Sequence, residues 1–430
     1  MTKRLRHANK GINGELTVPG DKSITHRAVM LGSIAKGETI ITNYLDSEDC
    51  QNTIAVFLQM GVKIIKTPQQ LFISGRTLKD LKPPKKPFLM GNSGTTTRLL
   101  LGLLAKQNFS MNLVGDNSLT RRPLKRVTDP LQIMGAKILT DEDHLPAKIL
   151  PNNHLKGIEY TLPIASAQVK SAIILAALQA DRRSVIRESL VSRDHTERML
   201  GQFGVNLKSN NNQIVVEPNT NLKGTEINVP GDFSSAAFWI VASLITPKSE
   251  LLIKQVGVNP TRTGLLNLLE RMGAVIEIKN IQNDFEKYAD IKVVSQSLKG
   301  IKVGRDDIPQ AVDEIPLLVL AATQAKGATL IEGAGELRVK ETDRIKTVTQ
   351  ELNKLGAKIE ARLDGFWIPG STKLEAKRMV ELDSHGDHRI GMMLAIAALI
   401  TKGDVILKNA SVVGVSYPSF FTDLKSIINN

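Results

Sequence analysis

One short pattern occurs five times in the sequence and constrains the fold more than any other feature. In each copy an amphipathic helical stretch ends at a glycine, and a strand-like stretch follows after a small or branched residue. The five glycines are Gly61, Gly135, Gly204, Gly273 and Gly356. Glycine suits the left-handed position that ends a helix, so the pattern predicts an array of similar α/β units, each about 70 to 80 residues long.

A sixth stretch of this kind, FFTDLKSIINN at 420–430, reaches the end of the sequence without its glycine and strand. We expect the segment ELTV, at 15–18, to supply the missing strand and so to close the repeat.

A second type of helix recurs in step with the first, opening on small polar residues and then becoming apolar all round. The six openings are GDKSITHRA from 20, GNSGTTTRLL from 91, ASAQVKSAIIL from 165, GDFSSAAFW from 231, VDEIPLLVLAA from 312 and GDHRIGMMLA from 386. A helix that is apolar on every side is buried. The sequence therefore predicts an α/β fold of two similar lobes, each with three units and with these helices in its interior.

The sequence VPGD occurs twice, at 18–21 and 229–232, and both copies precede an apolar helix. Proline sets an extended entry, glycine makes the bend and aspartate caps the following helix. We expect the chain to cross between lobes at these turns, with one lobe at 21–231 and the other at 1–20 plus 232–430. Helix N-termini that face one cleft attract anions, so the active site is expected in the cleft between the lobes.

The charge balance indicates acidic partners. The 430 residues carry a formal net charge of +13, while aromatic residues make up 4% of the chain. Few aromatics and dispersed basic residues favour small anionic ligands over a nucleic acid. Apolar runs of about ten residues are too short to span a membrane. Without a Cys/His cluster, we expect no metal site.

The start of the chain, MTKRLRHANK, is basic but is followed by GINGELTV, not by an apolar stretch. This pattern predicts no secretory signal. The sequence has a single cysteine, which excludes an internal disulfide. We therefore expect a cytoplasmic protein.

Several cations stand where helices do not favour them. Lys22 and Arg27 lie at a predicted helix start, where the helix dipole opposes positive charge by about 0.3–1 kcal/mol. Lys340 and Arg344 are spaced i, i+4, which predicts like charges on one helix face. A bound anion would make both arrangements favourable; the alternative interpretation is a solvated, purely structural surface.

Five motifs resemble those of the EPSP synthase family, in order and over essentially the whole chain. They are PGDKSITHRA, GNSGTTTR, RRP at 121–123, RVKETDR at 338–344 and GDHR at 386–389. The resemblance implies two lobes of three βαβαββ units with buried parallel helices, the inside-out α/β barrel of the enolpyruvyl transferases. It implies transfer of the enolpyruvyl group of phosphoenolpyruvate to the 5-hydroxyl of shikimate 3-phosphate, with release of phosphate. It also implies no cofactor, and we expect a monomer.

The same resemblance assigns residues to the two substrates. For shikimate 3-phosphate they are Lys22, Ser23, Arg27, Ser166, Gln168, Ser192, Asp313 and Lys340. For phosphoenolpyruvate they are Lys22, Gly94, Arg122, Gln168, Arg344 and Arg389. The predicted catalytic residues are Asp313, as base toward the 5-hydroxyl, and Glu341 or Lys22, which exchange a proton with the methylene carbon. Arg98, in the GNSGTTTR motif, is left without a role.

The chain departs from the family pattern at three places. Ala167 replaces a serine, His195 replaces a tyrosine, and a C-terminal lysine is absent near Val415. We hypothesise that Arg193 supplies the phosphate charge lost at the first two positions.

Two other functions remain as alternatives. The related transferases that act on UDP-N-acetylglucosamine often carry a reactive cysteine in the loop that corresponds to 115–125, and this chain has none there. A basic nucleic-acid-binding protein would show steep salt dependence and no turnover.

Overall fold

Both VPGD turns lie where the chain passes from one compact unit to another. The computed structural model describes residues 1–210 and 212–428. Contacts divide the chain into a unit of Gly20–Val229 and a unit of Met1–Pro19 with Pro230–Asn430. We call them the central unit and the terminal unit. Asp21 and Asp232 accept hydrogen bonds from the backbone N–H groups of Ile24 and Ser234, as expected for helix caps.

Each unit contains three copies of one motif. In most copies a buried helix connects two parallel strands, a second helix follows, and a hairpin then returns to the sheet so that its last strand pairs antiparallel with the second strand. In the first copy of each unit the first strand comes instead from a distant part of the chain: Glu226–Asn228 pairs parallel with Gly37–Thr42, and Asn13–Thr17 pairs parallel with Glu250–Gly257. The sheet order in a complete copy is therefore first, second, fourth, third strand. Parallel strands joined by way of helices are typical of α/β folds, and this arrangement confirms the predicted α/β class with βαβαββ units.

The central unit has three complete copies. Its first sheet consists of Glu226–Asn228, Gly37–Thr42, Gln70–Gly75 and Lys63–Lys66, with helices Lys22–Ile34 and Glu48–Gln59. The second consists of Phe88–Gly91, Met111–Gly115, His144–Ile149 and Ile138–Asp141, with helices Gly94–Leu103, Asn117–Thr120 and Lys125–Ile133. The third consists of Glu159–Thr161, Ser184–Arg187, Gln213–Val216 and Lys208–Asn210, with helices Ala167–Ala177 and His195–Gln202. A 3-10 helix spans Leu78–Asp80.

The terminal unit repeats the plan. One sheet consists of Asn13–Thr17, Glu250–Gly257, Lys287–Val294 and Ile276–Asn283, with helices Phe233–Ile245 and Gly264–Arg271. The next consists of Lys302–Val303, Thr329–Ile331, Gly365–Ile368 and Glu360–Arg362, with helices Ile308–Ala311, Ile315–Thr323 and Arg344–Asn353. The last consists of Val380–Asp383, Val405–Lys408 and Lys3–Leu5, with helices His388–Ile400 and Phe420–Ile428. The 3-10 helices span Arg305–Asp307, Gly335–Val339 and Ala410–Val415.

The strand that completes the last sheet is not the predicted one. Lys3–Leu5 pairs antiparallel with Val405–Lys408, whereas Asn13–Thr17, which contains most of ELTV, pairs parallel with Glu250–Gly257. The N-terminal segment therefore contributes to two sheets of the terminal unit. In this motif only the first strand pairs parallel with the second. ELTV therefore takes the first position of another sheet and not the predicted place in the last one. The last two residues of FFTDLKSIINN lie outside the described residues.

The six helices expected to be apolar all round are buried along nearly their whole length. The helix Phe233–Ile245 has every residue buried, and His388–Ile400 has eleven buried residues. The five predicted terminator glycines all have left-handed φ angles, between +81° and +91°. Both predictions are confirmed. Within the described residues, we find no helix with the length and apolar character needed to cross a membrane.

Candidate active site

Three of the predicted substrate cations lie in the first two positions of a helix that is capped by an aspartate. The pairs are Asp21 with Lys22, Asp343 with Arg344 and Asp387 with Arg389. In each case the carboxylate accepts a hydrogen bond from a backbone N–H of the first turn. A carboxylate at this place interacts favourably with the helix dipole and offsets its repulsion of the neighbouring cation.

Lys22 has a further carboxylate partner that the sequence did not reveal. Its Nζ donates to Asp49 Oδ2 at 3.0 Å, and the Asp49 side chain is almost fully buried. Asp49 comes from the next helix of the same motif, so packing of the two helices fixes the position of the ammonium group. Ser23 follows on the same helix turn and is half-buried.

Arg27 connects the first helix of the central unit to the third motif. Its Nε donates to Thr196 Oγ1 at 2.7 Å and a terminal nitrogen donates to Ser171 Oγ at 2.9 Å. The other terminal nitrogen donates to the carbonyl of Ser23 at 3.0 Å. Only 4% of this arginine is exposed, so these contacts fix the direction of its guanidinium group.

Gly94 is the first residue of a buried helix whose cap is Ser93. Its N–H, predicted to contact a phosphate, donates to the Asn92 carbonyl at 3.0 Å. A Cβ atom at Gly94 would lie 2.6 Å from a terminal nitrogen of Arg98 and 3.5 Å from one of Arg122. A side chain at this position would displace the Arg98 guanidinium group, whereas Arg122 would remain at ordinary contact distance.

Arg122 is nearly buried and lies beside this loop. One of its terminal nitrogens donates to Ser118 Oγ at 3.2 Å and also contacts Asn92 Oδ1. The structure therefore brings Arg122 and Gly94, both predicted for phosphoenolpyruvate, to one place in the central unit.

Arg98 joins three predicted elements of the central unit. It donates to Gln168 Oε1 at 3.2 Å, to the Pro123 carbonyl at 3.3 Å and to the Gly94 carbonyl at 3.5 Å. The other end of the Gln168 amide donates to Thr95 Oγ1 at 3.1 Å. Both ends of that amide are thus oriented by the helix Gly94–Leu103, which makes Arg98 a positioning residue that the sequence analysis left unassigned.

The remaining predicted residues of the central unit belong to its third motif. Ser166 caps the helix Ala167–Ala177 and accepts from the Val169 N–H. Ser192 is buried and contacts the carboxylate of Glu188 through both its hydroxyl and its N–H. Arg193 follows on the same loop and is half-buried.

In the terminal unit, Arg344 is the centre of a cluster of carboxylates. Its Nε donates to Asp387 Oδ2 at 2.8 Å and a terminal nitrogen donates to Glu341 Oε2 at 2.5 Å. Its other terminal nitrogen lies 3.6 Å from Asp313 Oδ1. Burial by itself would lower the pKa of Arg344, but the carboxylates of Asp387, Glu341 and Asp313 outweigh it and raise the pKa.

Arg389 lies near the other oxygen of the Asp313 carboxylate. It is 3.5 Å from Asp313 Oδ2 and 3.7 Å from Oε1 of Glu314, which is fully buried. Asp313 is therefore held between two arginines. The structure brings together in the terminal unit Asp313, Glu341, Arg344 and Arg389.

The predicted helical spacing of Lys340 and Arg344 is wrong. Lys340 ends a 3-10 helix with extended backbone angles, φ −84° and ψ −154°, and the next helix begins at Arg344. The helix begins there because Asp343 caps it by accepting from the Lys346 N–H at 3.0 Å. Burial lowers the pKa of Lys340, although the carboxylates of Asp313 and Glu336 act in the opposite direction.

The residues that sequence reasoning missed share one property: they hold predicted residues in place. Asp49 and Asp387 each bind such a residue from another helix, and Glu188 binds Ser192 within one loop. The sequence did contain a signal for Glu188. Lys170 lies within an otherwise apolar helix, and a buried lysine requires acidic partners.

Comparison with solved structures agrees with this architecture. An EPSP synthase from Acinetobacter baumannii matches with a TM-score of 0.87 at 41% identity, over 99% of this chain and 98% of that one. The enolpyruvyl transferase NikO from Streptomyces tendae matches with a TM-score of 0.81 at 16% identity, over 99% of this chain and 97% of that one. The second likeness shows the fold alone, and together they confirm the predicted fold class.

Comparison with curated sequences gives relatives of full length. The 3-phosphoshikimate 1-carboxyvinyltransferase of Leuconostoc mesenteroides subsp. mesenteroides is 55% identical, over 99% of both chains. That of Bacillus cytotoxicus is 50% identical, over 97% of this chain and 98% of its own. The model of the family described as EPSP synthase (3-phosphoshikimate 1-carboxyvinyltransferase) matches residues 7–424. The chain belongs to the EPSP synthase family.

Proposed function

We propose that the chain transfers the enolpyruvyl group of phosphoenolpyruvate to the 5-hydroxyl of shikimate 3-phosphate and releases phosphate. The observation that carries the proposal is the cluster around Asp313, where one carboxylate lies within 4 Å of both Arg344 and Arg389. The arrangement combines a candidate base with two groups that bind carboxylates, as the reaction requires.

In this proposal shikimate 3-phosphate is bound mainly through its charged groups. Arg27 binds the carboxylate together with Ser23, and Ser166 and Arg193 bind the phosphate. Ser192 joins them when its hydroxyl turns from the Glu188 carboxylate to the phosphate. The buried position of Arg27 supports its role, because a guanidinium held by Thr196 and Ser171 keeps one direction. The other ligands are Lys22, Gln168, Asp313 and Lys340.

Phosphoenolpyruvate is bound through both of its acidic groups. Arg344 and Arg389 bind the carboxylate, while Arg122, Lys22 and the N–H of Gly94 bind the phosphate, with Gln168 beside them. The close approach of Arg122 to Gly94 in the central unit supports the phosphate assignment. The proposal thus assigns ligands from both units to one pair of substrates.

The chemistry proceeds in two steps. Glu341, or alternatively Lys22, gives a proton to the methylene carbon of phosphoenolpyruvate, and the 5-hydroxyl oxygen attacks the adjacent carbon while Asp313 accepts the hydroxyl proton. In the second step the methyl group returns a proton to the same donor and the C–O bond to phosphate breaks. Its electron pair leaves on phosphate, which takes up the proton held by Asp313. The cations stabilise negative charge in both steps.

A phosphate-release assay tests this function. Shikimate 3-phosphate and phosphoenolpyruvate together should give one phosphate per enolpyruvyl group transferred, and neither alone should do so. UDP-N-acetylglucosamine in place of shikimate 3-phosphate should give none. Turnover with the nucleotide sugar, or no turnover with either acceptor, would contradict the proposal.

We further propose that the chain works in the cytoplasm as a monomer. Both substrates are phosphorylated metabolites, which supports the location. A light-scattering mass near 47.0 kDa would support the monomer.

A further inference from the structure

A lysine lies at the centre of a buried charge cluster in the third motif of the central unit. Lys170 is on the apolar helix Ala167–Ala177, and only 1% of it is exposed. Its Nζ lies 2.9 Å from Glu188 Oε2 and 2.8 Å from Glu197 Oε1, and it donates to the Ser192 carbonyl at 3.1 Å. An ammonium group forms three hydrogen bonds, so these contacts use its full donor capacity.

These contacts bring both ends and the middle of one chain segment to the same ammonium group. Glu188 stands at the beginning of the segment 188–197, Glu197 stands at its end, and Ser192 lies near its middle. Ser192 is held at every polar backbone and side-chain atom: its carbonyl accepts from Lys170, while its N–H and hydroxyl donate to Glu188. The shape of the segment therefore depends on one ammonium group.

The next residue of the helix connects the same segment to a predicted substrate arginine. Ser171 Oγ and Thr196 Oγ1 are 2.7 Å apart, and both accept hydrogen bonds from Arg27. Adjacent residues of one helix thus hold the loop that carries Ser192 and the guanidinium group of Arg27.

The electrostatics make the lysine hard to replace. Burial alone would lower the pKa of Lys170, but the carboxylates of Glu197 and Glu188 more than compensate and raise it, so that it stays charged. Burial raises the pKa of Glu197 in spite of Lys170. Removing the cation would leave two carboxylates close together in the interior, which is strongly unfavourable.

We propose that Lys170 is a positioning residue for shikimate 3-phosphate, which fixes the backbone of Ser192 and Arg193 beside the phosphate through the Ser192 carbonyl, Glu188 and Glu197. This inference rests on the proposed function, since it deepens the assignment of Ser192 and Arg193. Lys170 itself contacts no substrate. Its effect is on one of the two substrates, because the phosphoenolpyruvate ligands Arg122 and Gly94 belong to another motif of the unit. Gln168 shares the helix of Lys170, but its amide is oriented by Arg98 and Thr95 of that other motif.

The test compares Lys170→Met with the wild-type chain in steady-state kinetics. We expect KM for shikimate 3-phosphate to rise about tenfold or more, which corresponds to the loss of a charge-assisted hydrogen bond. The KM for phosphoenolpyruvate should stay within about twofold, the scatter expected when no ligand of that substrate is moved. A lysine with a purely structural role would lower the amount of active protein and leave both KM values unchanged.

Lys106→Met is the matched control. Lys106 Nζ donates to the Gln179 carbonyl at 2.8 Å, just beyond the other end of the same helix, and contacts no predicted substrate residue. It should reproduce wild-type KM values for both substrates. A control that showed the same selective rise in KM would overturn the proposal.

Glu188→Gln covers the case in which Lys170→Met does not fold. This substitution keeps an oxygen that can accept from Ser192 and leaves Lys170 paired with Glu197, so we expect a smaller rise in the same KM. Equal KM changes for both substrates, or none, in the folded variants would overturn the inference. Absence of turnover by the wild-type chain would instead contradict the proposed function, and calorimetric binding of shikimate 3-phosphate would then decide the role of Lys170.

Discussion

At the scale of single residues, the arginines of the terminal unit depend on buried acids. Arg344 contacts three carboxylates, and Asp387 supplies two of its hydrogen bonds while also capping the helix His388–Ile400. Asp387 has no exposed surface. One aspartate therefore sets both the start of a buried helix and the direction of the guanidinium group.

This double role predicts the effect of Asp387→Asn. Asparagine caps a helix about as well as aspartate, so the helix should persist while Arg344 loses a charged partner. We expect KM for phosphoenolpyruvate to rise about tenfold to a hundredfold, the range for a hydrogen bond between charged groups. Steady-state kinetics with varied phosphoenolpyruvate measures it.

Asp343→Asn is the control for this prediction. Asp343 also caps a helix, but its other partner is the more exposed Arg338 at 2.7 Å. Its substitution should leave KM within about twofold of wild type, since surface ion pairs contribute little. Similar KM values in the two variants would show that the charge of Asp387 does not matter.

Residue identity was easier to predict than residue contacts. The sequence singled out Lys22 by its place at a predicted helix start, and the family resemblance singled out Arg344 and Arg389. The sequence did not give Asp49 or Asp387 as their partners, since these contacts join residues separated by 27 and 43 positions. Such pairs depend on how helices pack, and a local pattern does not contain that information.

At the scale of elements, the helix terminators were predictable because they are local. The helix Arg344–Asn353 ends before Gly356, whose φ is +90°, as the pattern of apolar residues and glycine indicated. The start of that helix was not predictable in the same way. RVKETDR contains the good helix formers Lys340 and Glu341, but the cap formed by Asp343 decides that the helix begins later.

Two glycines of the terminal unit give a matched test of the terminator argument. A Cβ atom would meet nothing within 4 Å at either Gly356 or Gly304, but only Gly356 has a positive φ. Gly356→Ala should therefore lower the free energy of unfolding by about 1–2 kcal/mol, the cost of a left-handed conformation for a residue with a side chain. Urea unfolding measures this change.

Gly304→Ala should behave in the opposite way. Its φ of −106° and ψ of 176° are extended, and alanine at a compatible position stabilises by about 0.4–1 kcal/mol because the unfolded chain loses freedom. If both substitutions destabilised equally, loss of glycine itself and not backbone conformation would be the cause.

At the scale of the whole molecule, the terminal unit depends on the first residues of the chain. Lys3–Leu5 pairs with Val405–Lys408, and Leu5 is buried in the core. Fold class and motif number followed from the repeat in the sequence. The strand assignment at the N-terminus did not, because three residues carry too little pattern to identify their sheet.

Removal of residues 2–6 should destabilise the terminal unit by roughly 2–4 kcal/mol, through the lost burial of Leu5 and the lost ladder hydrogen bonds. Both tryptophans, Trp239 and Trp367, belong to that unit, so the urea midpoint followed by tryptophan fluorescence should fall. Hydrogen exchange should rise in Val405–Lys408 and stay unchanged in Gly37–Thr42.

Arg4→Ala serves as the control. The Arg4 ion pair with Asp404 is largely exposed on both sides, and its loss should change stability by at most about 1 kcal/mol. An equal rise in hydrogen exchange in Val405–Lys408 and Gly37–Thr42 of the shortened chain would show that residues 2–6 do not stabilise the terminal unit in particular.

The pairing of Lys3–Leu5 with Val405–Lys408 also determines when the terminal unit can complete its sheets during translation. All strands of the central unit are made before residue 230, whereas the first strand of the chain waits for a partner synthesised some 400 residues later. At about 5–20 residues per second, the delay is roughly 20–80 seconds. During translation the nascent chain therefore contains the complete central unit while the strand Lys3–Leu5 is still unpaired. A chaperone has time to bind that strand.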